Sequence, residues 1–247
     1  MNGIIPLFKP KGVTSAAFLD LFKSFLFRVI KGESGKKRKR KRMKVGHGGT
    51  LDKGAEGVLV VGIGDGCKEL KNFLEGSKKY CVTGKLGAAT DTYDSSGTVT
   101  SEMPFDKVTI EKFTSVVNKF TGAILQKPPI YSALKFEGQR YSDLARQGCP
   151  PEPQLRPVTI YNVECTEFKP PLFKLNVHCS SGTYIRSLVH DIGQELESRA
   201  HVIDLCRSQQ GQFLLSDALK QEDWSLDNVN KLMVVTKSKR LKDRKSV

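Results

Sequence analysis

Apolar and polar positions follow two rhythms along this chain, and the changes of rhythm mark its elements. Phe18, Leu21, Phe22, Phe25, Leu26 and Val29 recur at three- and four-residue steps, which lays one apolar stripe along a helix. Thr14 and Ser15 stand ahead of that stripe as N-caps. Ile110, Phe113, Val116, Val117 and Phe120 predict a second helix after Thr109, and Tyr184 to Leu196 a third. Val58 to Ile63 is an apolar run of strand length and reads as a buried strand. A short helix from about Cys67 to Leu74 follows it, then a strand from Lys79 to Leu86 and a polar loop from Ala88 to Gly97. Phe173, Leu175, Val177 and Cys179 alternate with Lys174, Asn176 and His178, so a half-buried strand is predicted there, paired with Val158 to Phe168. Pro128-Pro129 precedes a short strand from Ala133 to Phe136 and a turn at Glu137-Gly138, and Val202 to Arg207 returns to strand. Helices and strands mix without a regular βα repeat, which places the chain in the α+β class.

Charge adds what the apolar pattern does not. The net charge of +14 sits in two segments: Lys31 to Lys44 carries nine basic residues and one acid, and Lys231 to Val247 carries seven and one. The remaining body is formally neutral. Attraction to a polyanion therefore comes from one expected loop and one expected tail. Seven consecutive basic residues, Lys36 to Arg42, draw in phosphate in a salt-sensitive way and equally suit a nuclear-import signal. The apolar stretch from Ala16 to Ile30 is broken by Asp20, Lys23 and Arg28, so it fits neither a signal peptide nor a membrane anchor. Six cysteines without a CxxC pair read as reduced thiols, and four histidines without ligand spacing make a metal role a poor fit.

Several cofactor motifs can be tested and set aside. Gly62-Ile63-Gly64-Asp65-Gly66 follows a strand, but its spacing is not that of a dinucleotide fingerprint. The chain has neither GxxxxGK[ST] nor GxSxG. Asp91 to Glu102 has the length of a calcium loop, yet Tyr93 and Ser95 occupy ligand positions and Ser96 replaces the required glycine. An enzyme built on this chain works with side chains alone. The most informative stretch is Gly46 to Leu59, which places the Asp52 carboxylate in a glycine-rich loop ahead of the apolar strand. Taken alone, such an aspartate is most often a turn-former or a cap.

Five separated blocks change that reading. They are Lys9-Pro10-Lys11-Gly12-Val13-Thr14-Ser15; Gly46 to Leu59; Ser77-Lys78-Lys79-Tyr80 with Leu86-Gly87 and Thr90-Asp91-Thr92-Tyr93-Asp94; Pro128 to Lys135; and Gly182-Thr183-Tyr184-Ile185-Arg186-Ser187-Leu188. In order and kind they resemble the TruB-type pseudouridine synthases, whose motifs include KPxGxTS and GHxGTLDPxAxGVL; the likeness covers roughly residues 3 to 215. The chain departs from the pattern at Lys53, where the family usually has proline after the aspartate, and in the longer basic insertion before Gly46.

The resemblance implies a pseudouridine synthase fold with a mixed, mostly antiparallel sheet, flanking helices and a central RNA-binding cleft. It implies a catalytic domain over 1–226 with a basic loop insertion at 31–44, a basic tail over 227–247, and no appended PUA domain. The implied reaction cleaves N1–C1′ of a uridine, turns the uracil and rejoins it through C5. Because the product is an isomer, no cofactor is expected. Asp52 is implied as the carboxylate that attacks C1′, attacks the base or takes a 2′-proton, with Arg186 holding it and Tyr80 stacking on the base and a candidate to remove the C5 proton. Tyr184 is expected to line the pocket, His47 to fill the place of the flipped base, Lys9, Lys11 and Lys135 to meet phosphate, and Asp91 to contact substrate. The expected substrate is the T-arm of tRNA at uridine 55, and T-loop-like hairpins of mRNA. A monomer with no obligatory protein partner and no membrane contact, in the nucleus, the cytoplasm or the mitochondrion, completes the expectation. A tRNA-folding chaperone and a guide-RNA-dependent subunit are the rival readings.

Overall fold

The computed structural model describes residues 1–34 and 43–235. In chain order the strands and helices are β1 (Gly3–Lys9), α1 (Ser15–Ser34), β2 (Val45–His47), β3 (Glu56–Ile63), α2 (Leu70–Glu75), β4 (Lys78–Leu86), β5 (Ala88–Thr90), β6 (Val99–Glu102), α3 (Ile110–Lys119) and β7 (Gly122–Gln126). They continue with β8 (Lys135–Phe136), β9 (Gln139–Arg140), α4 (Tyr141–Arg146), β10 (Arg156–Lys169), β11 (Leu172–Cys179), α5 (Ile185–Glu195), β12 (Ala200–Gln210), β13 (Phe213–Leu214), α6 (Leu226–Leu232) and β14 (Val234–Val235). Ten strands form one sheet in the order β14-β1-β3-β12-β4-β11-β10-β7, with β2 beside β3 and β13 beside β12. Every pairing is antiparallel except β3 with β12, which run parallel through two register pairs, Cys206 with Glu56 and Arg207 with Gly57. The α+β expectation and the mixed, mostly antiparallel sheet are what the structure has.

The apolar rhythms explain the layers. On β4 the residues alternate buried and exposed, so Tyr80, Val82 and Leu86 face inward while Lys79, Cys81 and Lys85 face out. That inner face, with β11 and β10, packs against α3 and α5 through Phe113, Val117, Leu188 and Ile192. Thr109 caps α3 by accepting from the Lys112 amide at 3.3 Å, which satisfies one of the donors a helix start leaves over. A second centre joins β1 and β3 to α1 through Ile5, Leu7, Phe18, Phe22, Leu26, Leu59 and Val61, and Trp224 closes it against Phe18, Phe22 and Phe25. The opposite face of β3 meets α2 at Phe73, which is why Val58 to Val61 is apolar on every position. Leu21, assigned to the α1 stripe, is exposed instead.

Several expectations shift. The polar loop of 88–97 begins as β5, paired with β6 as a hairpin around an Asp91–Thr98 turn. The helix of 67–74 is a 3-10 turn over Gly64–Lys68 followed by α2. The basic segment of 31–44 starts inside α1, which runs to Ser34; residues 35–42, including the whole basic run of 36–42, lie outside the described residues. The tail boundary at 226 falls within α6: Val229 is buried, and β14 pairs with β1 through Gly3 with Val235 and Ile4 with Val234. The fold thus continues to Val235, because the edge of β1 is filled by those residues, and 236–247 lie outside the described residues. No helix of the described residues is long and apolar enough to cross a membrane. Among them no cluster of three His, Cys, Asp or Glu stands close enough to hold a metal ion.

Candidate active site

The loop between β2 and β3 is fastened by its backbone. Gln210 Nε2 donates to the Gly48 carbonyl, Arg207 Nη2 to Gly49 at 3.1 Å and Arg207 Nη1 to Thr50 at 3.3 Å. Ser15 Oγ donates to the Leu51 carbonyl and accepts from the Leu51 amide, both at 2.8 Å. The Ala55 amide donates to Asp52 at 3.2 Å and the Gly12 amide to Lys53 at 2.8 Å. Six consecutive carbonyls, 48 to 53, therefore each have a donor, which pins the backbone of the loop. Arg207 also donates from Nε to Val58 at 2.7 Å. Its guanidinium is fully buried; burial pulls its pKa down, while the neighbouring Tyr80 phenol and the Asp52 carboxylate favour the charged form.

Within this loop the Asp52 carboxylate reaches Arg186 Nε at 2.9 Å. Arg186 is itself buried, donates from Nη1 to Thr92 at 2.9 Å and from Nη2 to Tyr131 at 3.0 Å, and has Asp94 Oδ2 at 3.6 Å from Nη1. Two aspartates and two carbonyls thus surround one planar cation, a geometry that a lysine cannot match. Arg186 is the second residue of α5, and the start of α5 is set by Gln126, whose side chain accepts from the Tyr184 amide at 2.8 Å and donates to the Tyr184 carbonyl at 3.0 Å. Asp94 is fixed in turn by Thr92 Oγ1 at 2.8 Å and the Ser96 amide at 2.9 Å.

Asp52, Tyr80, Tyr184, Arg186, Leu205 and Arg207 line one cleft of about 260 Å³. That volume falls just short of the roughly 300 Å³ at which drug-sized ligand sites begin. Lys78 stands at its edge with Nζ on the Leu74 and Gly76 carbonyls at 2.7 and 2.6 Å; burial and the Arg207 charge lower it to about 8. Burial raises the phenols of Tyr80 and Tyr184, so both stay protonated well past neutrality.

The structure therefore brings together four of the residues named from sequence, Asp52, Tyr80, Tyr184 and Arg186, although 134 residues separate Asp52 from Arg186. His47, on β2, lies outside the cleft lining; burial lowers its pKa and its Nδ1 is buried without a hydrogen-bond partner. Lys9, expected to meet phosphate, faces inward. Its side chain is fully buried, with Nζ on the Pro10 and Val13 carbonyls at 2.8 and 2.7 Å, and burial lowers it to about 8. Lys11 is half-exposed and ion-paired to Asp204 at 2.6 Å, and Lys135 is exposed on β8 next to the lining residues Ala133 and Leu134. Asp91 points into its own turn, where Oδ1 accepts from the Thr98 amide at 2.8 Å; Asp94, three residues on, is the acid that reaches Arg186. Sequence reasoning missed Asp94, Arg207, Gln210 and Lys78. Asp94 and Lys78 stand inside the family-like blocks, whereas Arg207 and Gln210 sit on a strand whose pattern gives no sign of a cleft.

The chain is similar to known proteins. Residues 37–185 match the model for the TruB family pseudouridylate synthase N-terminal domain. The chain belongs to the TruB family. Human pseudouridylate synthase TRUB1 is 49% identical over 233 residues, covering 93% of this chain and 67% of that protein. The tRNA pseudouridine synthase B of Clostridium tetani (strain Massachusetts / E88) is 38% identical over 234 residues, covering 95% and 76%. Among solved structures, a chain of a Cbf5-Nop10-Gar1 complex superposes with a TM-score of 0.65 at 28% identity, over 90% of this chain and 53% of that one. The TruB family match contains Asp52, Tyr80 and Tyr184 and stops one residue short of Arg186. The ion pair between Asp52 and Arg186 therefore links the matched domain to the sequence beyond it.

Proposed function

We propose that this chain isomerises uridine to pseudouridine in RNA, with uridine 55 of the tRNA T-loop as its principal target. One observation carries the reading: the Asp52 carboxylate is held by Arg186 at 2.9 Å in a cleft of about 260 Å³ that Tyr80 and Tyr184 also line. The names of the relatives, pseudouridylate synthase and tRNA pseudouridine synthase, support the same chemistry.

In this reading a folded RNA delivers one nucleotide out of its stack, at a cost of a few kcal/mol. Tyr80 receives the base by stacking, and Tyr184 closes the pocket. Asp52 then serves as nucleophile at C1′ or the base, or as the base for a 2′-proton, while Arg186 keeps the carboxylate in one orientation. The glycosidic bond breaks at N1, a new bond forms from C1′ to C5, and as the C5 proton leaves N1 takes one up, so the product is an isomer. Nothing is oxidised or reduced. Exposed Lys135 is placed for phosphate contact, and the basic run of 36–42 adds salt-sensitive attraction or serves nuclear import. T-loop-like hairpins in mRNA and a nuclear or cytoplasmic location belong to the same proposal.

The test is pseudouridine mapping on a T-arm stem-loop transcript incubated with the purified chain, beside Asp52→Asn. Expected is modification at the position of uridine 55 by the wild type alone, with RNA affinity kept in the variant. Undiminished pseudouridine with Asp52→Asn would remove the aspartate from the reaction, and absence of product from the wild type would remove the proposal.

A further inference from the structure

We infer that Arg207 and Ser15 are positioning residues for Asp52, acting through the backbone of its loop. The inference rests on the proposed reaction and names what keeps its carboxylate in place. Arg207 holds the chain on both sides of Asp52: Gly49 and Thr50 before it and Val58 after it, all from one planar fork. Ser15, at the start of α1, grips the residue immediately before Asp52 by both its amide and its carbonyl. Neither contact touches the Asp52 carboxylate, whose own partner is Arg186.

Physical cost points the same way. Burying a guanidinium removes it from water, and an apolar side chain of similar size avoids that penalty. What only the fork supplies is three carbonyl bonds that tie a glycine-rich loop to a strand. The strand matters too, because Arg207 stands opposite Tyr80 in the register of β12 with β4. One residue therefore sets the loop that bears the carboxylate relative to the ring that receives the base. Displacement of a reacting group by about 1 Å costs about 100-fold in rate.

The experiment uses the full chain with Ser15→Ala, Ser15→Thr, Arg207→Gln and Arg207→Lys. Single-turnover rates on the T-arm stem-loop are measured at about 20 °C, beside RNA dissociation constants and thermal melts. Expected for Ser15→Ala and Arg207→Gln is a fall in rate of about 100-fold in the folded protein, with RNA affinity changed by less than about threefold. Ser15→Thr keeps the hydroxyl and regains most of the rate, whereas Arg207→Lys stays low because an ammonium cannot span three carbonyls. Lowered melting temperatures with undiminished rates in the folded variants overturn the inference, as do rate losses matched by equal losses of affinity. Should Arg207→Gln fail to fold, the Ser15 pair decides alone. A wild-type chain that makes no pseudouridine overturns the proposed function together with this inference; an active wild type with fully active variants overturns only the inference.

Discussion

Gly57→Ala tests the joint on which the loop depends. Gly57 stands in β3 at the two-residue parallel contact with β12, opposite Arg207, with φ of +110°. A methyl group built there meets the Arg207 backbone, with its nitrogen at 2.8 Å and its carbonyl carbon at 2.9 Å, and its carbonyl oxygen closer still. Backbone cannot rotate aside as a side-chain tip does. The left-handed conformation costs a residue with a Cβ about 1–2 kcal/mol, and forcing packed groups apart adds about 1–3 kcal/mol. The expected destabilisation is about 2–5 kcal/mol, the sum of those two terms. Gly122→Ala separates them, since Gly122 has φ of +109° but nothing within 4 Å of the added methyl; it is expected to lose only the first, about 1–2 kcal/mol. Gly54, with no left-handed φ and open space around it, is the control, expected within about 1 kcal/mol of wild type. Urea unfolding gives all three as shifts of midpoint at constant slope. Because the clash falls on Arg207, Gly57→Ala is also expected to slow the folded enzyme, and Gly122→Ala to leave its rate alone. Equal midpoints for Gly57→Ala and Gly122→Ala would refute the argument from close approach.

Two further outcomes are expected. Burial raises Asp191 on α5 from 3.8 to about 7, so between those values the folded state holds a proton that the unfolded chain has released. Its contribution is present below the unfolded pKa and is lost as pH rises through about 7; Asp191→Asn, which cannot ionise, is expected to raise Tm over wild type at pH 8 and not at pH 4, and parallel melting curves at both pH values would rule this out. Cutting the chain after Val235 removes six of its basic residues and one acid while keeping β14 on β1. This truncation is expected to weaken tRNA binding and to flatten its salt dependence by about 0.9 for each phosphate that the tail neutralises in the full chain, and unchanged affinity and slope would take the tail out of RNA binding.

Much of the site is legible in the sequence because its chemistry comes in contiguous blocks. Asp52, Tyr80, Tyr184 and Arg186 each belong to a short motif, and the structure gathers all four into one cleft. Lys9 and Asp91 belong to the same blocks but do not line the cleft, for a common reason: a motif shows that a residue type is required without showing which way it points. Lys9 turns inward to bind carbonyls, and Asp91 closes a turn while Asp94 reaches the arginine. Arg207 and Gln210 leave no local mark. Their partners lie about 150 residues away in sequence, across a pairing of β3 with β12 that no periodicity foretells.

By itself the sequence determined the local elements that an apolar rhythm can encode. The α1 and α3 stripes, the buried run of β3 and the alternation of β11 all follow from which side chains must leave water. It also determined the chemical inventory, one carboxylate in a loop of glycines with an arginine and two tyrosines elsewhere. Tertiary structure alone decided the edges, because short strands such as β5, β6 and β14 gain their stability from a partner rather than from their own pattern. It likewise decided which polar groups meet. A fully buried arginine is tolerated only where distant carbonyls converge on it, and here they converge on the loop that carries Asp52.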